Sequence, residues 1–206
     1  GFAAVALGIS LKKAGLNNFI ILERSNEIGG VWRENTYPGA ACDVPSRLYS
    51  FSFEQDYPWS LRYAPQKEIF GYLKHCINKY SLAPHIRLKK EVATATYNET
   101  SALWSLTTTA GEIIKTDIFV SAVGLFNNPA VPHILGKNLF KGPQFHSARW
   151  DHSVDLKGQM IASIGTGASA IQYAPEIAKI AKKLDVFQRT PQHIFSKGDR
   201  ANSQQN

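Results

Sequence analysis

QMIASIGTGASAIQ, residues 159–172, narrows the fold more than any other stretch of this chain. An apolar run reaches Gly165, Gly167 and Ala170 complete a GxGxxA pattern, and an apolar stripe with helical spacing follows. LDVFQR, 184–189, then reads as a second strand. Strand, glycine turn, helix and strand in that order require a parallel pair, which places the chain in the α/β class. The helix is expected over about 168–183, kinked or shortened by Pro175. A glycine-lined turn lets backbone approach a pyrophosphate, and the helix start supplies N–H donors and positive potential. Thr166, Ala168 and Ser169 fill the turn between the pattern positions and join the candidate binding residues. At the end of the second strand stand Arg189 and Thr190, with no acid. An acid there would accept from a ribose 2′-hydroxyl, whereas an arginine pairs with a 2′-phosphate. The expected cofactor is therefore NADPH and not NADH.

A second unit of this kind opens the chain. Gly1 and Ala4 match the last two positions of another GxGxxG/A pattern, so its first glycine and preceding strand are expected before residue 1. The opening without Met agrees with that expectation. FAAVALGISLKKA, 2–14, is apolar nearly all round and ends at Gly15, a buried helix with a glycine cap. FIILE, 19–23, reads as a buried parallel strand, and its last residue, Glu23, stands where an acid takes an unphosphorylated ribose such as that of FAD. A chain that binds both cofactors moves hydride from one to the other.

Between these units, residues 24–65 have little periodicity but many aromatics, which argues for an ordered functional segment. Gln66 to Tyr80 carries a helical apolar stripe after Pro65. From Ile86 to Val123 the period falls to about two, with Gly111 at a turn, and a small β-meander is expected. DIFVSAVG, 117–124, reads as a return to a buried strand, and NNPAVPHILG, 127–136, as a domain boundary. The tail ANSQQN offers nothing to pack. The net charge of +7 is scattered in lysine pairs without interleaved aromatics, so nucleic acid is not an expected partner. No apolar run is long enough to span a bilayer and no leader is visible, which favours a cytoplasmic location. Cys42 and Cys76 are far apart, read as reduced thiols, and have no metal-ligand spacing.

Two stretches remain. GGVWRENTYPGAACD, 29–43, resembles the [AG]GxWxxxx[FY]P[GM]xxxD fingerprint of Baeyer–Villiger monooxygenases, with Gly29, Gly30, Trp32, Tyr37, Pro38, Gly39 and Asp43 at the specified positions. FKGPQFHSARWD, 140–151, resembles that family's second fingerprint through Phe140, Gly142, His146, Trp150 and Asp151. The resemblance covers essentially the whole chain to about residue 200. It implies an α/β protein with two Rossmann-type dinucleotide-binding domains in three layers, the first carrying the β-meander as an insertion, and both incomplete here. Residues 1–136 would be the FAD domain, 137–152 the linker and 153–206 part of the NADP domain.

The resemblance further implies that NADPH reduces FAD, that the reduced flavin and O2 give a C4a-peroxyflavin, and that a ketone becomes an ester or lactone. Asp43 would orient an arginine that lies downstream of this chain. The plainer reading of Asp43 is a loop carboxylate in an Asx turn. His146 would be a linker residue that couples domain movement to turnover, not a proton-transfer base, with Trp150 beside it. Trp32 and Tyr49 would line the flavin, with Gly30, Val31 and Val92 also among the cofactor-binding residues. Gln172 matches a position near the NADP pyrophosphate. Ala41 departs from the family, which often has an arginine there. An oxygenase acting on nitrogen or sulfur and a nucleotide-binding protein without oxygenase activity remain alternatives. Residues 1–206 alone are expected to be poorly soluble and inactive, because strand edges would lie open. The ketone and the oligomeric state are not legible.

Overall fold

The structure is a computed structural model and describes residues 1–202. By its contacts the chain divides into two units, Gly1–Arg33 with Gly71–Asn127 and Glu34–Phe70 with Asn128–Asn206. The α/β class is as expected, with parallel strand pairs in both.

In the first unit, α1 (Phe2–Lys13) buries Val5, Gly8 and Ile9. It ends as its sequence predicts. Gly15 takes φ +78°, its N–H donates to Lys12 O at 3.0 Å, and Leu16 N–H donates to Leu11 O at 2.9 Å. This Schellman ending satisfies carbonyls that the last turn leaves open. A side chain at Gly8 would meet Ile21 and Leu82 at 3.1 Å, so glycine lets α1 sit close against β1 (Ile21–Leu22). FIILE is thus a much shorter strand than expected, and its residues are half-buried apart from exposed Ile20. It pairs in parallel only with β2 (Ile86–Arg87), after the short α2 (Val31–Glu34) and α3 (Gln66–Lys79). Phe19 leaves the ladder to stack on His85, with ring centroids 4.2 Å apart, and the His85 Nδ1–H donates to Phe19 O at 3.1 Å. The stripe of α3 reads correctly, and Leu73, Cys76 and Ile77 are buried with Tyr72.

The meander is β3 (Val92–Asn98), β4 (Leu103–Thr108) and β5 (Ile113–Thr116), antiparallel in that order, with Gly111 at φ +82° in the second turn. DIFVSAVG is not a strand. Ile118 is 77% exposed and Val123 70%, because no strand among the described residues offers them a ladder.

In the second unit, β6 (Met160–Ile164) and β7 (Lys183–Phe187) pair in parallel, with α4 (Ala168–Ala178) between them in sequence. The helix stops five residues short of the expected end. Lys182 N–H already donates to Gln159 O at 2.9 Å, so strand pairing claims those residues before the helix can. Residues 40–42 run extended beside 64–66: Cys42 N–H donates to Ala64 O at 3.0 Å and Gln66 N–H to Ala40 O at 2.8 Å. Buried Ser46 holds this corner, accepting from Ala64 N–H at 2.9 Å and lying 2.8 Å from Leu61 O as donor. The aromatic segment is ordered, as expected, by contacts such as Tyr57–Trp59 at 4.8 Å and Trp59 Nε1–H to Ser50 Oγ at 3.1 Å. The start of the polar tail does pack. Ala201 bridges Leu61, and Asn202 Nδ2 donates to Trp59 O and Leu61 O. Residues 203–206 lie outside the described residues.

Candidate functional site

In the first unit the chemistry gathers around the start of α1. Gly1 is the N-cap of α1, with no side-chain cap, and no acid lies in the helix's first turn. Gly30 sits at φ +57°, and a Cβ there would lie 3.1 Å from Gly1 Cα. Any larger residue would fill this backbone cradle. Ala4 lies within the first turn and a half of α1, half-buried. Glu23 follows β1 directly. Its Oε1 accepts from Ser25 N–H at 3.0 Å and faces Arg33 Nη1 at 3.4 Å, with both charged side chains largely buried. Arg33 also donates to Glu27 O, which fixes it from the other side. Lys90 N–H donates to Glu23 O at 2.9 Å, which brings Val92, two residues on, to the same end of the unit. Val31 and Trp32 begin α2, half-buried. A glycine helix start, a glycine cradle and a carboxylate just past the strand fit the pyrophosphate and ribose of FAD.

In the second unit the GxGxxA turn joins β6 to α4. Gly165 takes φ +100°, and a Cβ at Gly165 or Gly167 would meet nothing within 4 Å. These glycines leave space on the outside, as a dinucleotide would need, and do not serve internal packing. Ala170 is buried, as the third pattern position requires for close helix–strand contact. Gly165 N–H donates to Phe187 O at 2.9 Å, and Gln188 Nε2 donates to Thr166 Oγ1 at 3.1 Å, so the turn is tied to the end of β7. Arg189 and Thr190 follow, both exposed. Ala168 is the first residue of α4, and Ser169 hydrogen-bonds with the Tyr37 phenol. Burial raises the Tyr37 pKa above its ordinary value; the Ser169 bond lowers it and the Asp43 charge raises it less strongly. The donor set fits a phosphorylated dinucleotide.

The same unit brings the second fingerprint together with the part of the first from Glu34 onward. Arg149 Nη1 reaches Glu34 Oε2 at 3.2 Å, and His152 Nε2 lies 2.8 Å from Thr36 Oγ1. Trp150 packs between Phe145 (5.1 Å) and Tyr173 (5.4 Å), and Tyr173 meets Tyr37 edge-on at 6.1 Å. The Tyr173 hydroxyl is 2.8 Å from Ser163 Oγ, tying α4 to β6. His146 Nδ1 accepts from Ala148 N–H at 3.0 Å and so caps a short 3-10 turn, Ser147–Arg149. This leaves its proton on Nε2. Gln172 does not point its amide at the turn. It bonds to Ala41 and Tyr37. Asp43 is exposed, next to buried Cys42, whose thiol pKa is raised by burial. The Asx-turn reading of Asp43 fails, since residue 45 is proline and has no N–H to give. Tyr49 N–H donates to Pro45 O at 3.0 Å, holding it near that loop. Sequence reasoning missed Tyr173, Glu34 and Thr36. The only signal was a polar and aromatic pair, Gln172–Tyr173, on a helix whose other polar residues are Ser169 and Glu176.

With this geometry in hand, the likeness to known proteins is specific. A model of the flavin-binding monooxygenase-like family matches residues 6–202. The chain belongs to that family. Within it, the chain is 44% identical over 201 residues to a Baeyer–Villiger monooxygenase of Streptomyces coelicolor, covering 98% of this chain and 38% of the relative. It is equally identical over 204 residues to a Baeyer–Villiger monooxygenase of Pseudomonas aeruginosa, covering 99% of this chain and 39% of the relative. Among solved structures, a closed cyclohexanone monooxygenase superposes with a TM-score of 0.92 at 32% identity, covering 99% of this chain and 39% of that one. An oxidised steroid monooxygenase bound to NADP superposes with a TM-score of 0.90 at 36% identity, covering 99% and 40%. The chain thus spans well under half the length of these relatives.

Proposed function

We propose that this chain is the dinucleotide-binding part of an FAD- and NADPH-dependent monooxygenase that inserts one atom of O2 beside a ketone carbonyl, giving an ester or lactone. The observation that carries the reading is the meeting of both fingerprints on α4, through Trp150–Tyr173 and Gln172–Ala41. Bound FAD and NADP supply the electron transfer and oxygen activation. The residues of the chain bind, orient and exclude water. Gly1, Ala4 and Gly30 give the flavin's pyrophosphate its close approach, Glu23 accepts from its ribose, and Val31, Trp32, Tyr49 and Val92 line the ring system. Gly165 to Ala170 cradle the second pyrophosphate, while Arg189 and Thr190 bind the 2′-phosphate. Asp43 presents a carboxylate that can orient a cation. His146 and Trp150 hold the linker, 137–152, between an FAD domain, 1–136, and an NADP domain beginning at 153. We place the protein in the cytoplasm, where its thiols stay reduced and NADPH is supplied.

The test uses the complete protein. It is supplied with NADPH, isotopically labelled O2 and a panel of cyclic ketones, amines and sulfides. The expected product is an ester or lactone that carries one labelled atom. Labelled N-oxide or sulfoxide without ester would transfer the reading to the nitrogen- and sulfur-oxygenating class. Hydrogen peroxide alone, with every substrate, would end the oxygenase reading.

A further inference from the structure

We propose that Gln172 is a positioning residue, whose carboxamide stands in for a missing strand and fixes the loop that carries Asp43 onto α4. The inference rests on the functional reading above for its consequence, but not for its geometry. Residues 40–42 are hydrogen-bonded along one edge to 64–66. On the other edge no strand lies among the described residues. There the Gln172 Oε1 accepts from Ala41 N–H at 3.2 Å, and the Gln172 Nε2 donates to Ala41 O at 2.9 Å. This paired donor and acceptor is what a residue of a neighbouring antiparallel strand would offer. The amide cannot be turned over, because a backbone N–H only donates and a backbone carbonyl only accepts.

Tyr37 OH donates to the same Oε1 at 3.1 Å. Both lone pairs of that oxygen are thereby occupied, and one of the two Nε2 hydrogens is used. Gln172 is committed to the loop, with little left for a dinucleotide. The loop must also come close. Gly39, at φ +76°, has its Cα so near the helix that an added Cβ would lie 2.7 Å from the Gln172 backbone oxygen. Asp43 follows Ala41 by two residues, and Gln172 follows Ala170 of the glycine turn by two. The latch therefore sets where the Asp43 carboxylate stands relative to the turn that would hold NADP.

The test is hydrogen–deuterium exchange of peptides covering residues 40–43 in the complete holoenzyme. Gln172→Leu removes the amide and should speed exchange at Ala41 by about tenfold or more relative to wild type. Gln172→Glu gives a finer signature. In its protonated form the acid can accept from Ala41 N–H and donate to Ala41 O, while the carboxylate repels that carbonyl. Its exchange ratio to wild type should therefore be near one at low pH and rise once the acid ionises. Should Gln172→Leu not fold, this pH profile carries the test alone. Wild-type exchange in Gln172→Leu, or a ratio in Gln172→Glu that does not depend on pH, would overturn the latch. A loss of NADP+ affinity with wild-type exchange at Ala41 would make Gln172 a dinucleotide ligand instead. Because exchange is read without turnover, the latch can stand or fall whether or not the wild-type protein oxygenates ketones.

Discussion

Gly39→Ala should be among the most damaging methyl additions in the second unit, and its cost divides into two parts. The first is conformational. Gly39 sits at φ +76°, and an L-residue held in the left-handed region costs about 1–2 kcal/mol. The second is steric. The new Cβ would lie 2.7 Å from Gln172 O and 3.2 Å from Glu176 Cγ. The glutamate can swing away, but the oxygen is backbone in the middle of α4 and cannot move without the helix. Overpacking of this kind costs about 1–3 kcal/mol. The total is about 2–5 kcal/mol. Gly158→Ala is the control. Gly158 lies in the same unit at φ +71°, with nothing within 4 Å of its Cβ position, so only the conformational part applies. The assay is the opening free energy of β6–α4–β7 amides, read by native-state hydrogen exchange of the complete holoenzyme for both variants. Gly39→Ala should exceed Gly158→Ala by about 1–3 kcal/mol. Combining it with Gln172→Ala should bring no relief, since the clash is with the main chain. Equal costs for the two glycines, or rescue by Gln172→Ala, would refute the reasoning.

Three further outcomes follow from the sites. Arg189→Ala in the complete protein should raise the KM for NADPH and leave NADH little affected; equal losses for both would sink the 2′-phosphate assignment. Gly30→Ala adds a Cβ 3.1 Å from Gly1 Cα at φ +57° and should weaken FAD binding, measured by flavin retention on dilution, whereas Gly142→Ala meets only the exposed, movable Phe140 ring and should retain FAD as wild type does. The Tyr37 phenol has its pKa raised above 10.0, chiefly by burial, so the folded state holds its proton more tightly than the unfolded state. That contribution is fully present below pH 10.0 and is lost as pH rises through the folded value. Tyr37→Phe should lower stability at neutral pH by about one hydrogen bond, ~0.5–1.5 kcal/mol, and flatten the alkaline decline of the unfolding midpoint.

What was legible in the sequence was local. The stripe of α3 and the glycine ending of α1 depend on residues within a turn or two, and both were read correctly. The three meander strands, which pair with sequence neighbours, were also read correctly. The errors fell where a distant partner decides. FIILE and DIFVSAVG are equally apolar and β-prone, yet the first forms a ladder over only two residues and the second forms none. An apolar run specifies burial, but only a neighbour can make it a strand. The early end of α4 has the same origin, since Gln159 O captures Lys182 N–H. Asn202 was dismissed as tail, although its side chain bridges Trp59 O and Leu61 O across some 140 residues of sequence.

The stretch 140–151 shows how a motif can be visible while its reason is not. Its histidine, tryptophan and acid suggested more than a linker needs. In the structure, His146 caps its own turn, Arg149 answers Glu34 and Trp150 packs on Tyr173, while His152 just beyond meets Thr36. Glu34, Thr36 and Tyr37 are unspecified or weakly specified positions around the first fingerprint, yet they receive the second. Exposed pairs of this sort contribute little singly. Trp150, set between two aromatic rings, and the Gln172 amide, paired with a strand edge, carry more. The two fingerprints are thus better regarded as one packed feature seen twice along the chain. Substitutions at Trp150 and Tyr37 both act through Tyr173, so their effects on stability should not add.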